Sequence, residues 1–200
     1  MTPRSSCLWF LVALFAGLIL LCPRPADAAE ALRPDAVGLC EHCHGAGGNS
    51  VNTDNPVLAG QAAPYLARQL AAYRDGLRSH ALMQQVAENL SPAEILQLAH
   101  YFASAIRTSE ASNDESETSL RERGRTLAET LGCEGCHPSR AAIDGEIPGL
   151  RGQHATYLLA QLIAFREGTR VDQTGVMAAS AKFLKDDEMA ALAAWFAAAP

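Results

Sequence analysis

The sequence predicts an all-α fold made of two tandem copies of one small domain. No stretch alternates apolar and polar residues for long enough to predict a β-strand. Capping residues and apolar spacing typical of helices instead mark about three main helices in each copy. The two halves also match each other at an offset of 92 to 94 residues, so that Tyr65 corresponds to Tyr157 and Met83 to Met177.

The N-terminal segment has the features of a secretory signal. Arg4 precedes an apolar run from Cys7 to Leu21, and an A-x-A cleavage site ends at Ala28. Cleavage after Ala28 would export the mature chain, whereas a retained segment would hold it at the membrane. The predicted organisation is a signal peptide at 1–28, a first domain at 29–107, an acidic linker at 108–119 and a second domain at 120–200.

Three helices are expected in the first copy. Pro34 can occupy the opening turn of the first helix. The second begins near Pro64 and stops at Gly76. The third begins at Ser91, with Glu94 as its capping-box partner. Its apolar positions have the spacing of one helix face, and they are Ile95, Leu98, Ala99 and Phe102.

The second copy shows similar signals. Ser119 and Glu122 predict a capping box that opens its first helix, and the last helix is expected to begin near Asp186. The linker between the copies is polar and acidic, so we expect it to be exposed chain without packed structure.

A five-residue motif occurs once in each copy. It reads Cys40-Glu41-His42-Cys43-His44 in the first and Cys133-Glu134-Gly135-Cys136-His137 in the second. The pattern Cys-x-x-Cys-His is that of c-type haem attachment. On a helix, residues i, i+3 and i+4 share one face, so both thiols can bond one porphyrin while the histidine reaches its iron. The sequence therefore predicts two covalently bound haems c.

Other uses of paired cysteines fit less well. A disulfide or redox-active dithiol does not require histidine after the second cysteine, and no βαβ setting for a thioredoxin-type site is visible. Zinc-binding pairs usually lie about 15–20 residues apart, whereas Cys40 and Cys133 are 93 apart. Cys7 and Cys22 fall within the predicted signal, so the mature chain has no other cysteine for a structural disulfide.

A second axial ligand would close each iron and favour electron transfer over ligand chemistry. Met83 and Met177 correspond to each other and lie in the expected loop between the second and third helices. We predict that they are the axial partners of His44 and His137. Met189 corresponds to Ile95 and is expected to fill the core. The rival ligand His80 corresponds to Thr174, and the remaining histidines, His42, His100 and His154, also lack a histidine counterpart.

Further polar residues recur in both copies. The Nδ1–H group of each motif histidine needs an acceptor, for which the Pro56 and Pro148 loops are the expected source. Haem propionates need donors or cations. The candidates for this role or for supporting the ligands are Gln61, Tyr65, Arg74 and Arg78, with Gln153, Tyr157, Arg166 and Arg170 opposite. The two tyrosines are expected to face the haem or the domain interface.

Charge argues against one class of partner. The formal net charge is −6, and residues 108–119 carry four acids and no base. Both predicted domains are near neutral, with no basic footprint for nucleic acid.

These motifs together resemble the dihaem cytochrome c4 family. Each copy contains Cys-x-x-Cys-His, P-x-L-x-G-Q, Y-L-x-x-Q-L, G-x-R and a downstream Met, and the resemblance covers 31–198. It implies a periplasmic electron carrier with two His/Met haems and propionates near a pseudo-two-fold domain boundary. It also implies a membrane terminal oxidase as acceptor and a bc1-type complex as donor. Pro138, which stands where the first copy has Gly45, and a Met loop two residues longer depart from exact repetition.

Two further functions are considered. Dihaem subunits of flavoprotein dehydrogenases, such as the sulfide-oxidising flavocytochromes c, look similar in size and motifs. A dihaem peroxidase would be an enzyme, but one iron would have to lack its sixth ligand, which Met83 and Met177 argue against. We therefore expect an electron-transfer protein without a catalytic residue of its own.

Overall fold

The structure, a computed structural model, describes residues 36–108, 115–137 and 145–198. These belong to one compact unit, Pro34–Pro200. Within the described ranges the regular elements are all helices, which confirms the predicted fold class. None of these helices has both the length and the hydropathy needed to cross a membrane. The predicted signal, Pro34, Pro138 and residues 109–114 of the predicted linker lie outside the described residues.

The first domain has three main helices and one short one. They are α1 (Val37–His44), α2 (Ala63–Arg74), the short α3 (Ala81–Ala87) and α4 (Pro92–Ser104). The predicted capping box of α4 is present, because Ser91 Oγ accepts a hydrogen bond from the Glu94 amide at 3.3 Å. The Glu94 carboxylate accepts one from the Ser91 amide at 2.8 Å. The predicted starts of α2 and α4 are confirmed.

The second domain repeats this order with one additional short helix. Its helices are α5 (Glu115–Thr130), α6 (Cys133–Cys136), α7 (Ala155–Glu167), α8 (Val176–Ala181) and α9 (Asp186–Ala197). The predicted start of the last helix at Asp186 is confirmed. Gly132, with φ of 72°, separates α5 from α6, so the haem motif lies on a short helix of its own.

Two sequence predictions about helix limits are wrong. The first helix of the second domain begins at Glu115, so Ser119 is inside it and does not cap its start. Residues 115–119, predicted to belong to an exposed linker, are therefore helical. No proline or glycine lies between Glu115 and Glu122 to stop a helix, and the capping-type pattern was therefore misleading. Met83 and Met177 lie on α3 and α8, where loops were expected. Segments of six or seven residues are too short for apolar spacing to identify them.

Each domain encloses a core built from equivalent helices. Helix α2 packs on α4, and α7 and α5 both pack on α9. The predicted inner face of α4 is buried at all four positions, and Met189 on α9 is buried in the core as predicted. The two core clusters are Val37, Leu66, Leu98, Ala99 and Phe102 in the first domain, and Ala128, Leu158, Leu192, Ala193 and Phe196 in the second.

Gly124 allows α5 to lie directly against α9. A Cβ atom at Gly124 would come within 2.6 Å of the Ala191 carbonyl carbon and 2.8 Å of Trp195 Cβ, which is closer than such atoms pack. Because Ala191 would clash through its backbone, a helix would have to shift as a whole. Gly124→Ala is therefore expected to lower the free energy of unfolding by about 1–3 kcal/mol in urea denaturation, despite the better helix propensity of alanine.

Gly38→Ala is the matched control for that substitution. Gly38 is exposed on α1, and apart from its chain neighbours and the backbone of its own helix no atom lies within 4 Å of the place where a Cβ atom would stand. Alanine there should leave stability unchanged or raise it by up to about 1 kcal/mol. Equal stability of the Gly124→Ala variant and the unsubstituted protein would contradict the close helix contact.

Candidate haem-binding sites

The first motif lies at the end of α1. Cys40, Cys43 and His44 are at positions i, i+3 and i+4 of this helix and therefore share one face. Gly45 ends the helix with φ of 75°, and a Cβ atom there would come within 2.7 Å of the Asn49 carbonyl carbon. Glycine is required at this turn because its φ is positive and the Asn49 backbone lies where a Cβ atom would stand.

The second motif has a different backbone. Cys133 and Cys136 begin and end α6, and His137 follows the helix with φ of −110° and ψ of 70°. His137 is as buried as His44, with 8% of each residue exposed. Two different local backbones thus bring a buried imidazole beside two thiols.

Both motif histidines make the predicted bond through Nδ1. The Nδ1 of His44 is 2.9 Å from the Pro56 carbonyl oxygen, and that of His137 is 2.9 Å from the Pro148 oxygen. Because a carbonyl only accepts, Nδ1 must carry the hydrogen, which leaves the Nε2 lone pair for a metal. Burial lowers the pKa of both histidines and so favours the neutral, ligating form.

The cysteines do not have the setting of a reactive dithiol. Burial raises the pKa of Cys40 to about 11 and also raises that of Cys133. Redox-active cysteines instead have lowered pKa values. Among the described residues, which include all four motif cysteines, no three His, Cys, Asp or Glu side chains gather as metal ligands. The four thiols and two imidazoles fit two covalently attached haems better than a dithiol or a zinc site.

The two methionines lie half-buried in the first turn of short capped helices. The Met83 amide donates to His80 Nδ1 at 3.3 Å. The Met177 amide donates to Asp172 Oδ1 at 3.2 Å. His80 therefore has a capping role, which Asp172 performs in the second domain. The ligand roles of Met83 and Met177 stay predictions.

Asp172 makes the second methionine segment different from the first. Its carboxylate also accepts hydrogen bonds from the Thr174 hydroxyl at 2.6 Å and the Val176 amide at 3.1 Å. Burial raises the pKa of Asp172, but the hydrogen bonds from the Thr174 hydroxyl and the Met177 amide outweigh this effect, so the pKa lies below its usual value. An anionic cap thus holds α8, whereas an imidazole holds α3.

Sequence reasoning missed one pair of supporting residues inside the motifs. Glu41 Oε1 accepts hydrogen bonds from the Tyr101 hydroxyl at 2.9 Å and the Gly47 amide at 2.9 Å. Glu134 Oε1 accepts from Trp195 Nε1 at 3.1 Å and from Arg151 at 2.7 Å. Each glutamate fixes its haem motif to the last helix of its domain. The signal was present in the sequence, because Glu is the second residue of both motifs.

Gln61 and Gln153 cross the boundary between the domains. The Gln61 side chain donates to the Gly149 oxygen at 2.9 Å and accepts from the Gly149 amide at 3.0 Å. The Gln153 side chain donates to the Val57 oxygen at 2.9 Å and accepts from the Val57 amide at 2.8 Å. Both glutamines are buried, and the observed partners are backbone groups of the opposite domain. Their predicted contact with a propionate stays a prediction.

The predicted tyrosines and arginines form a second bridge across the same boundary. Arg78 donates to the Tyr157 hydroxyl at 2.9 Å and to Gln161 at 2.8 Å. Arg170 donates to the Tyr65 hydroxyl at 3.1 Å and to Gln69 at 3.2 Å. The domain-interface role expected for the tyrosines is therefore confirmed. This arrangement places two buried or half-buried guanidinium groups at the boundary, where carboxylates could bind.

Other candidates have different partners. Arg74 pairs with Asp75 at 2.8 Å, and Arg166 pairs with Asp186 at 2.6 Å, so the observed partner of each arginine is a carboxylate of its own domain. His154 Nε2 lies 2.9 Å from the Ser50 oxygen of the first domain, which confirms it as a histidine with a structural partner.

Comparison with known proteins identifies the class of domain. The Cytochrome c family model matches residues 36–105 and again residues 121–199. A protein from Pseudomonas aeruginosa named cytochrome c4 is 38% identical over 187 residues, which cover 90% of this chain and 92% of that protein. A thiosulfate dehydrogenase electron acceptor from Thiomonas intermedia is 34% identical over 186 residues, covering 88% and 85%.

Solved structures agree with these sequence matches. The reduced recombinant cytochrome c4 from Pseudomonas stutzeri aligns with a TM-score of 0.76 at 30% identity, covering 86% of this chain and 98% of that one. Thiosulfate dehydrogenase TsdBA from Marichromatium purpuratum aligns with a TM-score of 0.72 at 33% identity, covering 88% of this chain and 40% of that one. Both alignments extend over the two domains together.

Proposed function

The chain belongs to the cytochrome c4 family, and we propose that it is a periplasmic electron carrier with one haem c in each domain. Members of this family transfer electrons and are not enzymes. We further propose that a signal ending at Ala28 is removed and that the first domain spans 29–107; the second domain, predicted to begin at residue 120, includes α5 from Glu115. Fractionation of the native host should find the mature protein in the periplasm with residue 29 as its N-terminus.

One observation carries the haem proposal. In both domains a buried histidine of a Cys-x-x-Cys-His motif turns Nδ1 to a proline carbonyl and leaves Nε2 for iron. The haem, when bound, supplies an iron that alternates between ferric and ferrous states without bonding a substrate. The chain supplies thioether bonds from Cys40, Cys43, Cys133 and Cys136, and nitrogen ligands from His44 and His137.

The second ligand of each iron is assigned to a methionine sulfur. Met83 and Met177 lie at equivalent places on capped helices, and thioether sulfur favours ferrous iron relative to a second imidazole. Because His80 and Asp172 fix the backbone at these positions, little rearrangement is needed when the charge changes. The site thus suits repeated one-electron transfer.

Two alternative settings for electron transfer are proposed. The first is a terminal oxidase in the membrane that receives electrons from this carrier, with a bc1-type complex as donor. The second is a dehydrogenase that delivers electrons to the carrier. Relatives named as electron acceptors of thiosulfate dehydrogenase favour the second, and they make thiosulfate oxidation a candidate source beside the flavoprotein dehydrogenases considered from sequence.

Rapid mixing distinguishes these partners. The ferric mature protein is mixed with thiosulfate and a purified thiosulfate dehydrogenase, and the reduced protein with membranes that contain a terminal oxidase. Reduction in the first mixture identifies a dehydrogenase acceptor, and reoxidation in the second identifies an oxidase donor. A protein that exchanged electrons with neither, nor with small soluble mediators, would contradict the carrier function.

A further inference from the structure

We propose that each domain tunes the haem of the other domain, through the glutamine that crosses the boundary. Specifically, Gln153 of the second domain sets the donor strength of His44, and Gln61 of the first domain sets that of His137. This inference rests on the proposed function, because it takes both histidines as iron ligands. The observation behind it is a continuous chain of hydrogen bonds.

In the first domain this chain of hydrogen bonds passes through a single peptide group. His44 Nδ1–H donates to the Pro56 carbonyl at 2.9 Å, and the Val57 amide donates to Gln153 Oε1 at 2.8 Å. The Pro56 carbonyl and the Val57 N–H belong to the same peptide bond. When the N–H donates, electron density moves toward the carbonyl oxygen, which becomes a stronger acceptor. Gln153 therefore increases the pull of Pro56 on the imidazole proton.

The second domain has the reciprocal chain. His137 Nδ1–H donates to the Pro148 carbonyl at 2.9 Å, and the Gly149 amide donates to Gln61 Oε1 at 3.0 Å. The Pro148 carbonyl and the Gly149 N–H again belong to one peptide bond. The connection is thus the same in both directions across the boundary, although the bridging amide belongs to a valine in one domain and to a glycine in the other.

The environment of these chains strengthens the effect. Val57 is 4% exposed, Gln61 4% and Gln153 5%, and the chains end at histidines that are 8% exposed. Hydrogen bonds polarise one another more strongly where water is excluded. A stronger acceptor at Nδ1 gives the imidazole more anionic character, and a more basic ligand stabilises ferric iron. Loss of the glutamine should therefore raise the reduction potential of the opposite haem.

The experiment measures both haem potentials in the full-length holoprotein carrying Gln153→Leu or Gln61→Leu. The two haems are distinguished by the proton NMR resonances of His44 and His137 in the ferric protein. Gln153→Leu is expected to raise the potential of the first-domain haem alone, and Gln61→Leu that of the second-domain haem alone. We expect the ferric–ferrous equilibrium to change by about threefold. Since a tenfold change corresponds to about 59 mV for one electron, the reduction potential would shift by about 28 mV.

Two further variants separate tuning from loosening of the interface. His154→Ala removes the bond to the Ser50 oxygen, which also crosses the boundary, but leaves intact both hydrogen-bond chains that run from a glutamine to a motif histidine. It should change neither potential selectively. Gln153→Glu keeps an oxygen acceptor for the Val57 amide, so the first-domain potential should not rise. This variant also keeps the test open if Gln153→Leu does not fold.

Some results would overturn the inference. They are a Gln153→Leu shift confined to the second-domain haem, equal shifts at both haems, no shift at either, or a rise with Gln153→Glu equal to that with Gln153→Leu. Failure of the proposed function is seen separately, because the unsubstituted protein would then lack two haems with histidine ligands before any glutamine variant is compared.

Discussion

The chain with both Cys133→Ala and Cys136→Ala is expected to retain one covalently bound haem where the unsubstituted protein has two. The two thioether bonds of the second domain would be lost, while Cys40 and Cys43 would keep the haem of the first domain. Mass spectrometry of the mature protein under denaturing conditions should show a mass lower by one haem, and the absorbance of the haem that stays with the polypeptide after acid extraction should fall to about half.

The reciprocal change is the matched control. Substituting Cys40 and Cys43 together should also leave one haem, now held by the second motif. Since a bound haem contributes a large apolar surface to a small domain, the domain that loses it should also unfold at lower urea concentration. Two covalent haems in either double variant would contradict attachment at these motifs.

Met177→Ala is expected to open the iron of the second domain while leaving the first closed. Loss of the sulfur should remove the weak thioether-to-iron band at the red end of the visible spectrum from one haem, so that its intensity falls to about half. The ferrous variant should also bind carbon monoxide at one site per chain. Absorbance titration measures both effects, and Met83→Ala should reproduce them for the first domain.

Met189→Leu serves as the control for the methionine prediction. Met189 is fully buried on α9 and packs the core, so a similar hydrophobic side chain should cost less than about 1.5 kcal/mol. The spectrum should not change. An unaltered red band in Met177→Ala would instead show that another group binds that iron.

Several features could be predicted because their cause lies in a few neighbouring residues. The start of α4 follows from Ser91 and Glu94, which satisfy one another's backbone groups. The acceptor for His44 could be predicted because a proline loop follows the motif in both copies; in the first copy Pro56 lies 12 residues after His44. The repeat also favours Met83 and Met177 as the predicted iron ligands, because they correspond to each other, whereas each histidine outside the haem-ligand positions occurs in one copy only.

Other features depend on contacts between distant parts of the chain. Gln61 and Gln153 recur in both copies, but their partners are backbone groups 88 and 96 residues away, which no side-chain pattern reveals. The start of α5 could not be placed, since its polar residues predict exposed chain as readily as a solvated helix. The need for glycine at position 124 could not be predicted from its neighbours, because it arises from contact with the backbone of α9.

Each of the two haems is expected to be closed between a histidine and a methionine. This ligation is tested by a reductive titration of the mature protein, followed in the visible spectrum and ended by addition of carbon monoxide. We predict two haems per chain, a thioether band for both in the ferric state and no carbon monoxide binding under native conditions. A colourless protein, or carbon monoxide binding at both irons, would show that this ligation is wrong.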